Sequence, residues 1–211
     1  PDQSSAASDV YKRQQIYMLD TSDASAKLLS DGKSRNGGPL WSTDGEKIAF
    51  QSTKRNGRSN DIWIMNVMNP EEAQMVLESP DGTWWGASDW TEDDKTILVQ
   101  NYISITNSKI YLVDLETQKK QLILGKEKDP SANSALAFDK DDKGVFYITD
   151  KFSQFSQLTY HNLENGEDVI ISSEIPWDVD GFAMSEDGKR AAFVVNENGY
   201  STLYLLDPKS F

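Results

Sequence analysis

Residue types capable of covalent chemistry are sparse in this chain. It has one histidine, His161, and no cysteine. Thiolate nucleophiles, disulfides and Cys-type zinc or iron-sulfur sites are therefore excluded, and any Ser-His-Asp or histidine-metal scheme has a single candidate. His161 stands in a strand-like run where sister runs carry Met65 or Val113, so it reads as a structural or surface histidine rather than a base. The nearest approach to a nucleophile elbow, Gly86-Ala-Ser88-Asp-Trp90, lacks the second glycine and precedes a strand rather than a helix. Asp139-Lys-Asp141-Asp-Lys143-Gly144, followed by Asp150, has the outline of a calcium loop. Lys143, however, puts a cation where an oxygen ligand belongs, and Asp150 replaces the bidentate Glu at the twelfth position. That segment reads as a hairpin between two strands. Spacing singles out no pair among the 34 acidic residues for glycosidase chemistry. No catalytic residue, metal site or cofactor is predicted.

Composition narrows the partners. The 211 residues carry 34 Asp and Glu against 21 Lys and Arg, a formal charge of −13 and a pI near 4.5, which argues against nucleic acid, whose phosphates require a basic surface. Hydrophobic residues make up 37% and aromatics 10%, too many for a disordered acidic tail. No apolar run approaches the ~20 residues of a membrane helix, so no membrane span is expected. Absence of cysteine leaves the compartment open, with periplasmic or secreted favoured over cytoplasmic.

Residues 1–14 have a different character. Asp9-Val-Tyr-Lys-Arg-Gln14 resembles the in-frame translation of GATGTGTATAAGAGACAG, the end of a transposon-based sequencing adaptor. Residues 1–14 are therefore expected to be a disordered artefact, with the native sequence starting at Gln15, its true N-terminus and any signal peptide lost.

Beyond Gln15 the chain repeats. An aromatic or Met followed three positions later by Asp occurs at Trp41/Asp44, Trp90/Asp93, Phe138/Asp141 and Met184/Asp187. A short apolar run closed by Asp or Asn ends at Asp20, Asn66, Asp114, Asn162 and Asp207. Both patterns keep a period of 45 to 49 residues. Each unit reads as four short strands, with Asp44-Gly45 or Asp187-Gly188 at a tight hairpin and Asp93-Asp94 or Asp141-Asp142 as weaker turns. Third-strand runs such as Ile62-Trp-Ile-Met65 are apolar at successive positions, which requires cover on both faces. These features predict an all-β fold, a β-propeller fragment with three complete four-stranded blades and a partial blade at each end. The units fall at about 15–30, 37–78, 86–125, 134–172 and 181–211. An arc cut from a larger ring would leave unpaired strand edges at its ends.

The pattern Pro39-Leu-Trp41-Ser-Thr-Asp44-Gly45-Glu-Lys47-Ile48-Ala49-Phe50 with Asp61-Ile-Trp-Ile-Met65 resembles the repeat of TolB-like propellers and of N-terminal propellers in prolyl oligopeptidase-family serine peptidases. Three segments outside the repeat, Asp31 to Pro39, Gly82 to Trp90 with Asn101 to Ser104, and Ile175 to Val179, resemble the dipeptidyl peptidase and acylaminoacyl peptidase branch. The resemblance implies a propeller that gates and orients peptide substrates for an α/β-hydrolase domain encoded downstream. The fragment itself would then hydrolyse nothing, while its parent would be a serine-type peptidase. The alternative is a TolB-like protein-binding or scaffolding propeller with no hydrolase. Exo- or endo-cleavage, total blade number and oligomeric state are left open.

Propeller topology places the loops before first strands, and those joining second to third strands, on one face. That face collects Lys33, Arg35 and Asn36; Lys54, Arg55 and Arg58; the aromatics Trp84, Trp85 and Tyr102; and Phe152, Phe155 and Trp177. Cations and aromatics suit a groove for a peptide's carboxylate and carbonyls. Arg35, Trp84, Trp85, Tyr102 and Trp177 are the expected substrate-facing residues.

Overall fold

In the computed structural model the described residues are 14–80, 82–128 and 130–211. The adaptor-like stretch lies outside them except for Gln14, whose carbonyl accepts the Asn36 amide at 2.9 Å. The described residues form short strands and one 3-10 turn at Pro70–Glu72. A two-stranded sheet pairs β1 (Tyr17–Leu19) with β2 (Ala26–Leu28). Next come three sheets of four strands. The first holds β3 (Asn36–Trp41), β4 (Lys47–Ser52), β5 (Asp61–Asn66) and β6 (Gln74–Leu77). The second holds β7 (Trp84–Trp90), β8 (Thr96–Ser104), β9 (Asn107–Asp114) and β10 (Lys120–Leu124). The third holds β11 (Asn133–Phe138), β12 (Gly144–Thr149), β13 (Gln157–Asn162) and β14 (Asp168–Ile170). A three-stranded sheet closes the series with β15 (Val179–Met184), β16 (Ala191–Glu197) and β17 (Tyr200–Leu206). In each sheet consecutive strands are neighbours, as short hairpin connections dictate.

The chain divides into two compact units, one running up to Ala87 with Asp114–Lys119, the other Ser88–Val113 with Lys120–Phe211. In the first, Ile16 and Leu29, which flank the two-stranded sheet, pack with Ile48, Phe50, Met65 and Val67. In the second, Leu98, Ile110 and Leu124 pack against Phe138, Val145 and Tyr147. The opposite face of the β11–β14 sheet buries Phe146, Leu158 and Tyr160 against Val179, Phe193 and Val195. Alternate residues of one strand, Val145 and Tyr147 against Phe146, thus feed two different cores, which explains the continuous apolar runs. Each such side chain contributes on the order of 1.5–3 kcal/mol by leaving water.

The repeated Asp is a hairpin device. Ser42 Oγ donates to Asp44 Oδ1 at 2.6 Å, that oxygen accepts the Glu46 amide at 2.8 Å, and Ser42 Oγ accepts the Lys47 amide at 2.8 Å. Thr91 with Asp93 and Ser185 with Asp187 repeat the arrangement. Gly45 and Gly188 take φ of 72° and 64° at these turns, and Asp94 and Asp142 adopt the same left-handed region at 55°. In the segment with a calcium-loop outline, Asp139 replaces the hydroxyl residue. Its Oδ1 accepts the amides of Asp141 and Lys143 at 3.0 and 2.9 Å, and its Oδ2 accepts the Tyr160 hydroxyl.

Donation from Ser185 Oγ and from Lys189 holds the Asp187 carboxyl down at about 2. A folded value below the unfolded one stabilises the native state above about pH 4, and that contribution is lost as pH falls from about 4 to about 2. A carbon-detected NMR titration should give Asp187 a midpoint near 2, and Ser185→Ala should raise it. On the edge strand β17, Leu203 and Leu205 are 66% and 82% exposed and lie on one face with Ala192 and Val194, to which they pair. Sedimentation velocity should show self-association of the purified chain at micromolar concentration, reduced by Leu203→Lys with Leu205→Lys.

Candidate functional site

Within the first unit, two loops meet at one end of the β3–β6 sheet. The Arg35 amide donates to Thr53 Oγ1 at 3.1 Å, and the Thr53 amide returns a bond to the Arg35 carbonyl at 3.0 Å. The loop carrying Arg35 is tightly specified. Asp31 accepts the amides of Lys33 and Ser34 and the Ser34 hydroxyl, and the buried Asn36 amide donates to Gln15 Oε1, Asp31 Oδ1 and the Ser34 carbonyl. Partial burial opposes the charge on Asp31, yet these donors outweigh it and hold the carboxyl at about 2.

Of the cations expected on this face, Arg55 is consumed structurally. Its Nε and Nη2 grip the fully buried Asp61 carboxylate at 2.8 and 3.0 Å, and Nη1 reaches Glu78 at 2.9 Å. Lys54 Nζ sits 5.1 Å from the centroid of Trp63. Arg35 stays available: among the described residues its guanidinium has no hydrogen-bond or ion-pair partner, and it is exposed. Arg35 and Trp84 line one cleft of about 210 Å³ together with Gln14, Asn36, Gly37, Gln51 and Asn60. Asn60 Nδ2 donates to Gln51 Oε1 at 3.0 Å, which orients the Gln51 amide with its NH₂ toward the Trp84 side. Gly86 makes room for this arrangement, since a Cβ there would lie 2.4 Å from Trp84 Cη2 and 2.7 Å from Gln51 Nε2.

The cleft thus combines a cation, an aromatic face and an oriented amide donor, groups able to hold a carboxylate, an apolar side chain and a peptide carbonyl. Of the residues expected to face substrate, Arg35 and Trp84 line this cleft together. Gln51 and Asn60 were not among them, because only their juxtaposition brings them there. The one advance signal was Gln51's place one residue before the end of β4, close to the cationic loop.

The other expected residues are placed differently. Trp85 is 2% exposed: strand alternation along β7 turns it inward, opposite to Trp84, so it is a core residue rather than a surface one. Tyr102 belongs to the second unit and is 45% exposed. It lies on a strand rather than a loop, because β8 continues to Ser104 and β9 begins at Asn107. Trp177 packs against Phe155, ring centroids 6.5 Å apart, where the Ser156 amide donates to Asp178 Oδ1 at 2.7 Å. His161 is nearly buried on β13, its Nδ1 2.8 Å from Asp168 Oδ1.

Stacked four-stranded meanders with apolar faces define a β-propeller, here in fragment form and of TolB-like type. No protein-family model matches the chain. The "uncharacterized peptidase YuxL" of Bacillus subtilis (strain 168) is 24% identical over 191 residues, covering 86% of this chain and 25% of that protein. TolB from Acinetobacter baumannii superposes with a TM-score of 0.74 at 20% identity, over 95% of this chain and 48% of that one. Prolyl oligopeptidase B from Galerina marginata gives 0.69 at 16% identity, over 92% of this chain and 30% of that one. The chain therefore spans a quarter of the curated relative and about half of the TolB chain. Its fold resembles the propellers of both TolB and prolyl oligopeptidases, and a peptidase stands among its relatives.

Gly86→Ala should displace the Trp84 ring. With 19F-labelled tryptophan, the resonance lost in Trp84→Phe should be the one most shifted by Gly86→Ala. An unmoved resonance would show that the ring does not rest on that backbone.

Proposed function

We propose that this chain is the non-catalytic propeller portion of a serine peptidase of the prolyl oligopeptidase type, and that it gates and orients short peptides for an α/β-hydrolase domain of the same parent protein. The similarity to a B. subtilis peptidase over most of the chain carries this reading; the cleft supplies its chemistry. Arg35 would receive a peptide carboxylate, Trp84 an apolar side chain and the Gln51 amide a backbone carbonyl. Holding a flexible peptide by its end converts an encounter with a catalytic serine into an oriented one. On this reading no step of bond cleavage belongs to the chain itself. The likeness to TolB favours a second reading, a protein-binding propeller without a hydrolase.

Binding of short peptides distinguishes the two. The purified chain should leave Ala- and Pro-containing chromogenic peptides intact but bind a tripeptide with a free C-terminus, followed by calorimetry. Arg35→Ala and C-terminal amidation of the peptide should each weaken binding by about tenfold, and their effects should not add. Equal affinity for the amidated peptide would remove Arg35 from the proposed role, and failure to bind any short peptide would favour the protein-binding reading.

A further inference from the structure

The repeat provides an internal control for one unusual cluster. By strand register, Phe50 and Met65 of the β3–β6 sheet correspond to Tyr147 and His161 of the β11–β14 sheet, because Met65 pairs with Ile48 as His161 pairs with Val145. His161 also pairs with Asp168, and one step beyond the Ile64–Gln74 pair the matching position is Ala73, just before β6. In the first unit these positions are apolar and belong to a packed core. In the second unit the same three have become polar together. The Tyr147 hydroxyl donates to Asp168 Oδ1 at 3.0 Å, His161 Nδ1 lies 2.8 Å from the same oxygen, and Lys151 Nζ is 3.7 Å from Asp168 Oδ2. Burial weighs against the Asp168 charge, yet bonding from His161 and Tyr147 lowers its carboxyl below the usual value.

Such a cluster replaces apolar packing with buried polarity, which is costly where structure alone is served. It borders a cleft of about 220 Å³ lined by Lys126, Lys151 and His161. The equivalent cleft of the first unit carries Asp31 two residues beyond Leu29, where this one carries Lys126 two residues beyond Leu124. Charge at the matching position is therefore reversed. Gly125 holds the strand end in place: its φ is +85°, and a Cβ would lie 2.4 Å from the Ser108 carbonyl oxygen. With Nδ1 committed to Asp168, Nε2 of His161 has no partner among the described residues, and the exposed Lys126 ammonium has none either. The nearby acids are occupied, Asp168 by three donors and Glu127 by Lys109 at 3.5 Å.

We propose that the cleft formed by Lys126, Lys151 and the Asp168-anchored His161 binds a small oxyanion, a carboxylate or a phosphate group. Lys126 and Lys151 would supply charge, and His161, with Nδ1–H held by Asp168, would donate from Nε2 to the bound anion as the doubly protonated imidazolium, in a protein whose net charge of −13 otherwise repels anions.

His161 is the sole histidine, so its ring protons report the site without ambiguity. At constant ionic strength, adding inorganic phosphate or acetate should shift the Cε1–H and Cδ2–H resonances saturably over the millimolar range, whereas chloride should not. A stronger response to phosphate would identify the group as a phosphate, and a stronger response to acetate a carboxylate. Lys126→Ala, which alters only an exposed side chain, should weaken binding about tenfold. The triple change Tyr147→Phe, His161→Met, Asp168→Ala restores the residue types of the sister sheet, so it should fold and show no binding by calorimetry. A linear response equal to that of chloride, or undiminished affinity in Lys126→Ala, would overturn the proposal.

Discussion

Burial of both faces of the β11–β14 sheet is the constraint on which the second unit rests. Val145 and Tyr147 face one neighbouring sheet while Phe146 faces the other, so the central strands β12 and β13 cannot present the alternating polar pattern of a solvated strand. Water has to be excluded twice, and a stack of similar sheets does this with a four-strand motif used repeatedly. The terminal sheet with Leu203 and Leu205 shows the same motif where one face lacks cover among the described residues.

The stack demands sharp hairpins between first and second strands, and a short side chain network provides them. A serine or threonine hydroxyl, replaced by the Asp139 carboxylate between β11 and β12, an aspartate two residues on and a residue in the left-handed region close these turns. At the opposite end of the sheets the connections are individual, tight between β8 and β9 and long between β4 and β5. There the chain builds the Asp31 to Asn36 loop, the Arg55–Asp61 pair and the Phe155–Trp177 contact. Local hydrogen bonding by Asp, Asn and Ser makes these loops rigid enough to position side chains, so an exposed Arg35 can be held beside Trp84 rather than left on a wandering segment.

Repetition also makes divergence informative. Phe50 and Met65 occupy the same paired strand positions as Tyr147 and His161, so that change does not follow from a different strand register. Arg55 shows the opposite lesson: a cation in an exposed-looking loop is consumed by a buried carboxylate, and charge counted along a loop overstates what reaches a ligand.

The strands, their period and the hairpin positions were readable from residue order alone, because alternation, apolar runs and Asp-Gly turns act over a few neighbours. Trp41 to Asp44 and its repeats announced the turns, and Ile62 to Met65 announced a sheet covered twice. Whether a loop residue faces solvent was decided only by packing. Adjacent in sequence, Trp84 and Trp85 part company because a strand turns alternate side chains to opposite faces. Gln51 and Asn60, nine residues apart, become one hydrogen-bonded pair, and His161 acquires Asp168 through the register of β13 with β14. Those pairings depend on which strands lie side by side and at what offset, which the pattern of residue types by itself does not set.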